Sequence, residues 1–533
     1  MRRQMVAGFS LVGVAAAVAV VSTTAAAPAA RSGSVRAPGA AATCGGTPKQ
    51  GGTLVVGHNY EVDNLNPLAP SNNGEILVQA EIYAGLTRPD PSGAAKIVPG
   101  LVDKWSEAKN RKSWTLHIRQ TARFSNGQPV TAADVKFSLD RFINPKKNVI
   151  FPSLVTDFKS VSVVDSHTVR VSLKKPVSPF LHYISLFPAF IVPKALVQKD
   201  ETAFFKNPVG AGPYRIKEFV RGSHITLERN PYYWEKGLPH YDQIQENFVV
   251  EDNTRLLKLR AGEIGVAEGV PFNQISALRK VANVRVQSNP STRQDVVWLN
   301  NTHAPLGELK VRQALNYAID RKAINRAVYA GTGEIPNNEL PKLQYNDNSV
   351  PKYTYNLALA KKLLAQTSVP NGFSAGFLVP AGATHDKQLA LLLQQQWKKI
   401  GVNIDIQEVD QATLRDRHQK YDYDMLIPQP LWFSDVLVPD EFAFVFADTT
   451  KNGIDGYFSG WKNAQIWKLV QQAGAAQDPQ RGRVWAKIQR LWNVQAPWIS
   501  MMWLPTETAI RSNVCNVKVN ALGWYLYERA WSP

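Results

Sequence analysis

Apolar and polar residues alternate with a period of two in several short segments, the pattern of a strand with one buried face. Such alternation begins at Trp114, in Trp-Thr-Leu-His-Ile-Arg, and returns over 168–173. A further apolar segment follows the paired glycines at 51–52 and reads as a third strand. These segments predict at least one sheet.

Other segments carry apolar residues at helical spacing. The positions at 311–319 and 389–400 predict two helices with one buried face, and alternation resumes at 402–406 directly after a glycine. Thr131 followed three residues later by Asp134 predicts a capping box at the start of another helix. Helices that lead into strands through a glycine are typical of α/β folds, so we expect a mixed α/β protein of more than one domain.

The N-terminus has the pattern of an export signal. Arg2 and Arg3 precede an apolar stretch over 6–21, and small residues follow it. The apolar stretch is shorter than the ~20 residues that a membrane-spanning helix needs. We therefore expect a signal peptide at 1–29, a flexible leader at 30–49 and a mature protein outside the cytoplasm.

Two cysteines, Cys44 and Cys515, are the only ones in the chain. In an oxidising compartment they can pair and tie the two ends of the chain together. The alternative is a lipid anchor on Cys44, which would attach the protein to the cell envelope.

Composition narrows the class of function only slightly. The chain has 533 residues, a formal net charge of +18 and 14 tryptophans. Its Lys and Arg residues are scattered rather than clustered, which favours a solvated surface over a nucleic-acid site. The tryptophans serve either as core or as the wall of a pocket for varied apolar groups.

No sequence motif identifies a chemical reaction for this chain. Serine-hydrolase elbows, zinc-binding His-Glu-x-x-His helices and phosphate loops are absent from the sequence, and the nine histidines never stand three or four residues apart. We predict a binding protein with no cofactor and no metal site rather than an enzyme.

Several segments in order resemble one family, the bacterial extracellular solute-binding proteins of family 5. They are Ile82-Tyr-Ala-Gly-Leu86, Val98-Pro-Gly-Leu-Val-Asp-Lys-Trp105, the block 113–141 and the Gly-Pro-Tyr segment within 209–234. The resemblance continues through 255–267, 306–324 and 389–410, and so extends from about residue 50 to the end.

This resemblance implies a two-lobe hinged periplasmic-binding-protein fold of the type II, large class with an inserted domain. Lobe I would combine 50–86, 201–294 and 505–533, the inserted domain II would span 87–200, and lobe II would span 295–504. The family also implies capture of short peptides for the permease subunits of a membrane ABC transporter, by a protein that acts as a monomer.

The resemblance also implies a site. In the segment 431–442 the pattern Trp-x-x-Asp-x-x-x-Pro is similar to the family segment whose Asp holds the amino group of a peptide. It assigns Asp435 as the ammonium partner, Trp432 as a wall, and Phe433 and Ser434 as backbone contacts. Arg417, Asn72 and Asn73 are further candidates for ligand contact.

Other ligands and roles stay open. Within the same fold the ligand would be a nickel chelate, sugar, opine or haem. The fold would also suit an envelope regulatory protein that moves no solute, or a secreted hydrolase that turns its peptide over.

Overall fold

The computed structural model describes residues 44–533 except Ser71, Val149, 341–342, 429–430, Phe433 and 451–457. The predicted signal peptide at 1–29 and residues 30–43 of the predicted leader lie outside this part. Within the described residues, no helix combines the length and apolar character needed to cross a bilayer.

The strands of the described chain have the following bounds: β1 Thr53–His58, β2 Thr87–Pro89, β3 Ile97–Pro99, β4 Val102–Glu107, β5 Ser113–Ile118, β6 Phe158–Asp165, β7 Thr168–Leu173, β8 Tyr214–Val220, β9 His224–Arg229, β10 Gln243–Phe248, β11 Val266–Ala267, β12 Val284–Leu299, β13 Ser374–Pro380, β14 Asn403–Val409, β15 Met425–Leu426, β16 Leu431–Trp432, β17 Ile499–Arg511, β18 Lys518–Val519 and β19 Tyr525–Leu526.

The α-helices of the same part have these bounds: α1 Asn73–Ile82, α2 Ala132–Phe142, α3 Phe180–Tyr183, α4 Lys194–Lys199, α5 Glu201–Phe204, α6 Asp252–Ala261, α7 Phe272–Leu278, α8 Leu309–Tyr317, α9 Arg321–Val328, α10 Leu357–Leu364, α11 Thr384–Lys398, α12 Gln411–Gln419, α13 Asp440–Ala447, α14 Ala464–Ala475 and α15 Gln480–Gln495.

One large mixed sheet organises the molecule. Its path through the described strands is β14-β13-β15-β12-β17-β11-β1-β10-β9-β8, with β16 beside β12. The strands β12 and β17 are the longest, with 16 and 13 residues, and they pair antiparallel along most of their length. On one side of this pair lie β15, β13 and β14, and on the other lie β11, β1, β10, β9 and β8.

The ladder between β12 and β17 is interrupted at two places. Its register shifts between Asn289 and Arg293 and again between Asp295 and Val296. An irregularity of this kind bends a strand and leaves part of the ladder unpaired. The predicted lobe boundaries at 294/295 and 504/505 fall within these two strands, and the division into lobes stays a prediction.

A second sheet stands apart from the large one. It contains β4, β5, β7 and β6 in that order, and α2 packs against β6 and β7. The helix begins as the sequence predicts, because the Thr131 side chain accepts from the Asp134 backbone and the Asp134 carboxylate accepts from the Thr131 N–H at 3.0 Å. All of these elements lie within 87–200, the range predicted for the inserted domain.

The tryptophans mostly build the core. Five of the largest fully buried side chains are tryptophans: Trp298, Trp397, Trp485, Trp492 and Trp498. Three of them, Trp298, Trp492 and Trp498, contact one another or the rings of α13. The abundance of tryptophan therefore reflects packing around α13, α14 and α15 in the first place.

Cys44 and Cys515 form a disulfide, with their Cα atoms 5.5 Å apart. Cys515 is buried, and its backbone exchanges two hydrogen bonds with Trp531. The bond therefore fastens the segment before β1 to the C-terminal segment. A sulfur engaged in this way is not available to carry a lipid.

The local expectations from the sequence are confirmed. The three predicted strands are β1, β5 and β7, the predicted helices are α2, α8 and α11, and the alternation after α11 is β14.

We expect the Cys44→Ser/Cys515→Ser double variant to be less stable than the native protein. The bond closes a loop across a sequence separation of 471 residues, and removing such a cross-link restores chain entropy to the unfolded state. The loss should be about 2–4 kcal/mol, measured as a lower denaturation midpoint under non-reducing conditions. Equal midpoints for the two proteins would show that the disulfide does not stabilise the fold.

Candidate functional site

The loop after β16 is held against the interrupted part of the long strand pair. β16 pairs with β12, where Trp432 lies opposite Arg293. Beside it, the Thr292 hydroxyl donates to the Ser434 carbonyl at 2.7 Å. The loop that carries Asp435 is therefore anchored where β12 leaves its regular register with β17.

Ser434 fixes the local shape of this loop. Its side chain is buried, and its hydroxyl donates to the Val436 carbonyl at 2.8 Å. The same hydroxyl lies 3.3 Å from a carboxylate oxygen of Glu441 in α13. These contacts give Ser434 a structural role, which agrees with its assignment as a backbone neighbour of the site, and a ligand contact stays a prediction.

Asp435 lies next to a second acid. Its backbone N–H donates to the Glu441 carboxylate at 2.8 Å, and Glu441 is buried. Burial raises the pKa of Glu441 well above its ordinary value, and the negative charge of Asp435 adds to this effect. Two acids whose charges interact in a mostly buried environment do not both ionise readily unless a cation is present.

The Asp435 side chain itself is half-buried. Burial raises its pKa to about 7, although part of its surface stays exposed. A carboxyl that is closely surrounded by protein and still reachable by solvent is what one expects on the wall of a cleft. In the described part of the chain, no Lys, Arg or His forms an ion pair with it.

The carboxyl pair formed by Asp435 and Glu441 can therefore bind a positive group. A cation that enters would replace a proton and relieve the repulsion between the two acids. A neutral or negative group would leave the repulsion between the two buried acids uncompensated. The geometry supports recognition of a cation.

Asp295, an acid in β12, helps to hold the crossing of the two long strands. Asp295 is buried and accepts from the Tyr329 hydroxyl at 2.9 Å and from His385 at 2.7 Å. The ring of Phe272, in α7, contacts the rings of both of these residues. The contact joins α7 to α9 and α11 across the long strands.

Arg417 is engaged close to its own helix. Its guanidinium donates to the Asp422 carbonyl at 3.0 Å and to the Asp422 carboxylate at 2.9 Å. These bonds close the turn after α12 and account for the residue without a ligand. Its predicted role in ligand binding stays a prediction.

Asn72 and Asn73 form the beginning of α1. The Asn72 side chain accepts from the Glu75 backbone at 3.1 Å and donates to the Glu61 carbonyl at 3.1 Å. Asn73 is the first residue of the helix. Asn72 is thus a helix cap, and a ligand contact at either residue stays a prediction.

The two aromatic candidates are only partly placed. The backbone of Trp432 lies in β16, and Phe433 lies outside the described residues. Their predicted contacts with a ligand stay predictions.

Sequence reasoning missed Glu441 and Thr292. Glu441 directly precedes the apolar run Phe442–Ala447, near the start of α13. An acid next to such a run is unusual enough to mark a buried polar group. Thr292 carries no comparable signal, because its role depends on a strand interruption that only the fold reveals.

Comparisons with known proteins agree on one family. The sequence profile described as "Bacterial extracellular solute-binding proteins, family 5 Middle" matches residues 96–453. The chain is 27% identical over 474 residues to the probable D,D-dipeptide-binding periplasmic protein DdpA of Escherichia coli K12, covering 86% of this chain and 90% of DdpA. It is 31% identical over 363 residues to the glutathione-binding protein GsiB of Salmonella typhimurium LT2, covering 67% of this chain and 69% of GsiB.

Solved structures share the fold. The periplasmic binding protein DppA of Helicobacter pylori, in complex with the peptide STSA, matches with a TM-score of 0.78 at 22% identity, over 91% of this chain and 98% of DppA. The binding protein AgaA of A. tumefaciens R10, in complex with agropinic acid, matches with a TM-score of 0.77 at 26% identity, over 90% of this chain and 99% of AgaA. The chain therefore has the mixed α/β periplasmic-binding-protein fold that the sequence predicts.

We expect the Asp435→Asn variant to be more stable than the native protein without ligand, and increasingly so as the pH rises from about 4 to 7. A carboxyl whose pKa is raised to about 7 by folding stabilises the folded state at low pH, and this stabilisation disappears as the pH rises through that value. Asn cannot ionise, so it avoids the loss.

The difference should reach about 1–2 kcal/mol at pH 8, allowing for the solvent that reaches the carboxyl. Thermal unfolding at pH 4.5 and pH 8, after removal of bound ligand, measures it. Asp416→Asn, which changes an exposed acid on α12, is the control and should show no such trend. A difference that does not depend on pH would mean that Asp435 keeps an ordinary pKa.

Proposed function

The chain belongs to the bacterial extracellular solute-binding proteins of family 5, and on this premise we propose that it captures short peptides, of two to several residues, and delivers them to an ABC importer. The coarser function, a solute-binding protein of the ABC-importer type, follows from the family. The peptide as ligand is the proposal.

One observation carries it. The pair of Asp435 and Glu441 lacks a cationic partner among the described residues, and its loop is anchored at the interruption of the β12–β17 ladder. An uncompensated acid at such a position is costly to the folded protein, so a cationic group of the ligand is the simplest reason for it.

A peptide suits this chemistry. It carries one α-ammonium at a fixed place, repeated amides, and side chains of varied size. The ammonium would bind Asp435, and the amides would bind exposed backbone in the way that an added strand does. The names of DdpA and GsiB and the bound peptide of DppA support a peptidic ligand for this chain as well.

Closure of two lobes would link binding to transport. A ligand favours the closed state only by the contacts that exist in that state and not in the open one. The acid pair near the strand crossing would supply such contacts if Asp435 faces a partner on the other lobe through the ligand. The closed surface is then what the permease subunits recognise.

The remaining parts of the proposal concern the setting. The protein would be exported by its N-terminal signal, would act as a monomer, and would need neither cofactor nor nucleic acid. The periplasmic relatives support export. The disulfide, which forms in oxidising compartments, supports it too.

An opine is the second candidate for the ligand. The likeness to AgaA in complex with agropinic acid favours it, since that likeness spans nearly the whole of both chains. Mass spectrometry of ligand released from the purified protein separates the two candidates. Recovery of an intact peptide would also argue against the hypothesis of a secreted hydrolase, which predicts that the peptide is cleaved.

We expect Asp435→Ala to weaken the binding of peptides with a free amino terminus by about 2–5 kcal/mol, because the variant leaves the ammonium without its partner in a dry site. Isothermal titration calorimetry with the peptide found on the purified protein measures the change. Asp416→Ala, which removes an exposed acid on α12, should bind like the native protein.

The same peptide with an acetylated amino terminus tests the contact from the other side. It should bind the native protein weakly, and Asp435→Ala should weaken it little further. If Asp435→Ala binds the free-amine peptide as tightly as Asp416→Ala and the native protein do, Asp435 is not part of the ligand site.

A further inference from the structure

A second cavity lies away from the Asp435 loop, where α1 leads into β2 and meets the C-terminal hairpin of β18 and β19. Its volume is about 90 Å³. At about 15 Å³ per water site this is room for roughly six waters, or for one small organic molecule. None of the residues that line it belongs to the loop between β16 and α13.

Two buried acids face this cavity. Glu81, at the end of α1, is 3% exposed, and Glu528 is 4% exposed. One carboxylate oxygen of Glu81 accepts from the Tyr527 backbone at 3.3 Å, and the other oxygen is buried without a hydrogen-bond partner. Other buried polar atoms of the described chain share this feature, and what distinguishes Glu81 is that it lines a cavity from which a donor could reach it.

The cations nearby are already engaged. Arg88, which also lines the cavity, forms an ion pair with Glu235 at 2.7 Å, and Arg529 binds the other oxygen of Glu235. The Glu528 carboxylate lies 3.5 Å from the Arg529 guanidinium, which is shared with Glu235. Arg119 lies 4.4 Å from the Trp234 ring and donates to the Gly100 carbonyl at 2.7 Å, so none of these three arginines forms an ion pair with Glu81.

More acid lies behind the cavity wall. Glu246 and Glu268 are both buried, and His58 pairs with Glu268 at 2.5 Å. Arg255 is fully buried, but it donates mostly to backbone carbonyls. Burial raises the pKa of Glu81, and the charges of Glu528 and Glu246 raise it further.

The rest of the wall is aromatic. Rings of Trp524, Tyr525, Tyr233 and Phe190 line the cavity together with Trp234. Aromatic faces attract organic cations and cover their apolar parts. Two carboxyls fall short of the six to eight oxygen ligands that Ca²⁺ takes, so this lining suits an organic cation better than a metal ion.

We infer that this cavity is a second binding site, which takes a small organic cation of the primary-ammonium type between Glu81, Glu528 and the aromatic wall. The nitrogen donates to the unpartnered oxygen of Glu81, and the carbon chain lies against the rings. On binding, the cation replaces a proton of the carboxyls, and the proton passes to the buffer. The bound cation joins α1 to the C-terminal segment.

Propylammonium chloride is the probe for this site. We expect saturable binding to the native protein in calorimetry, with an enthalpy that changes with the ionisation enthalpy of the buffer because a proton is released. Sodium chloride at the same ionic strength, and 1-propanol, which has the same chain without the charge, should not bind.

Three variants locate the binding. Glu81→Gln keeps an acceptor for the Tyr527 N–H but loses the charge, and should weaken propylammonium binding at least tenfold, as should Glu528→Gln. Because the proposed peptide site also takes an ammonium group, the glutamine variants are compared in the Asp435→Asn background, which should keep one saturable propylammonium site. Glu81→Gln should bind peptide normally.

Three results would each overturn the inference: no saturable binding of propylammonium, equal binding of 1-propanol, or unchanged binding in both glutamine variants. Loss of binding in Asp435→Asn alone would place the probe at the peptide site and not in the cavity. A variant that does not fold is replaced by the other glutamine variant, since each removes one of the two carboxyls.

Discussion

The antiparallel pairing of β12 and β17 connects the two sides of the large sheet. These two strands lie in the middle of the large sheet, and the strands of its two sides attach to them. A regular ladder would hold the two sides of the sheet in one fixed relative orientation. The two register shifts interrupt it at the place where Thr292 holds the Asp435 loop, so the bend and the site share the same few residues.

The acids around this bend illustrate the difference between a charge used for structure and a charge used for binding. Asp440 is buried and paired with Arg481, and one carboxylate oxygen of Asp295 receives two hydrogen bonds, whereas the second oxygen of each acid is buried without a hydrogen-bond partner. Asp435 and Glu441 share contacts with each other and with backbone, but not with a described cation. The fold thus gives Asp440 and Asp295 a charged or hydrogen-bonding side-chain partner, whereas the Asp435 carboxyl has no such partner among the described residues. Functional sites are where a protein accepts such a local loss of stability.

Much of the local structure follows from the sequence, because short-range signals fix it. The capping box at Thr131, the alternation at 168–173 and the glycine after α11 each depend on residues within a few positions of one another. The glycines at 210 and 212 carry no comparable short-range signal, and the structure gives the reason for them. A Cβ at Gly210 would lie 2.0 Å from the Ile82 carbonyl oxygen, so only glycine permits the chain to pass the end of α1. That contact spans well over a hundred residues of chain and leaves no local pattern.

The candidate site depends even more on contacts between residues that are far apart in sequence, and local patterns do not predict it. Asp435 could be singled out only because its segment resembles a known family, since a lone acid in an apolar run has no periodicity to interpret. Glu441 lies six residues further on, yet its meaning depends on the turn that brings its carboxylate to the Asp435 N–H. Thr292 lies more than a hundred residues earlier and reaches the loop only through strand pairing. A helix or strand is decided by neighbours in sequence, whereas the electrostatic state of a carboxyl is decided by whatever the fold places around it. Local sequence patterns therefore predict the helices and strands well, whereas the charge balance around Asp435 emerges only when the β12–β17 crossing is in place.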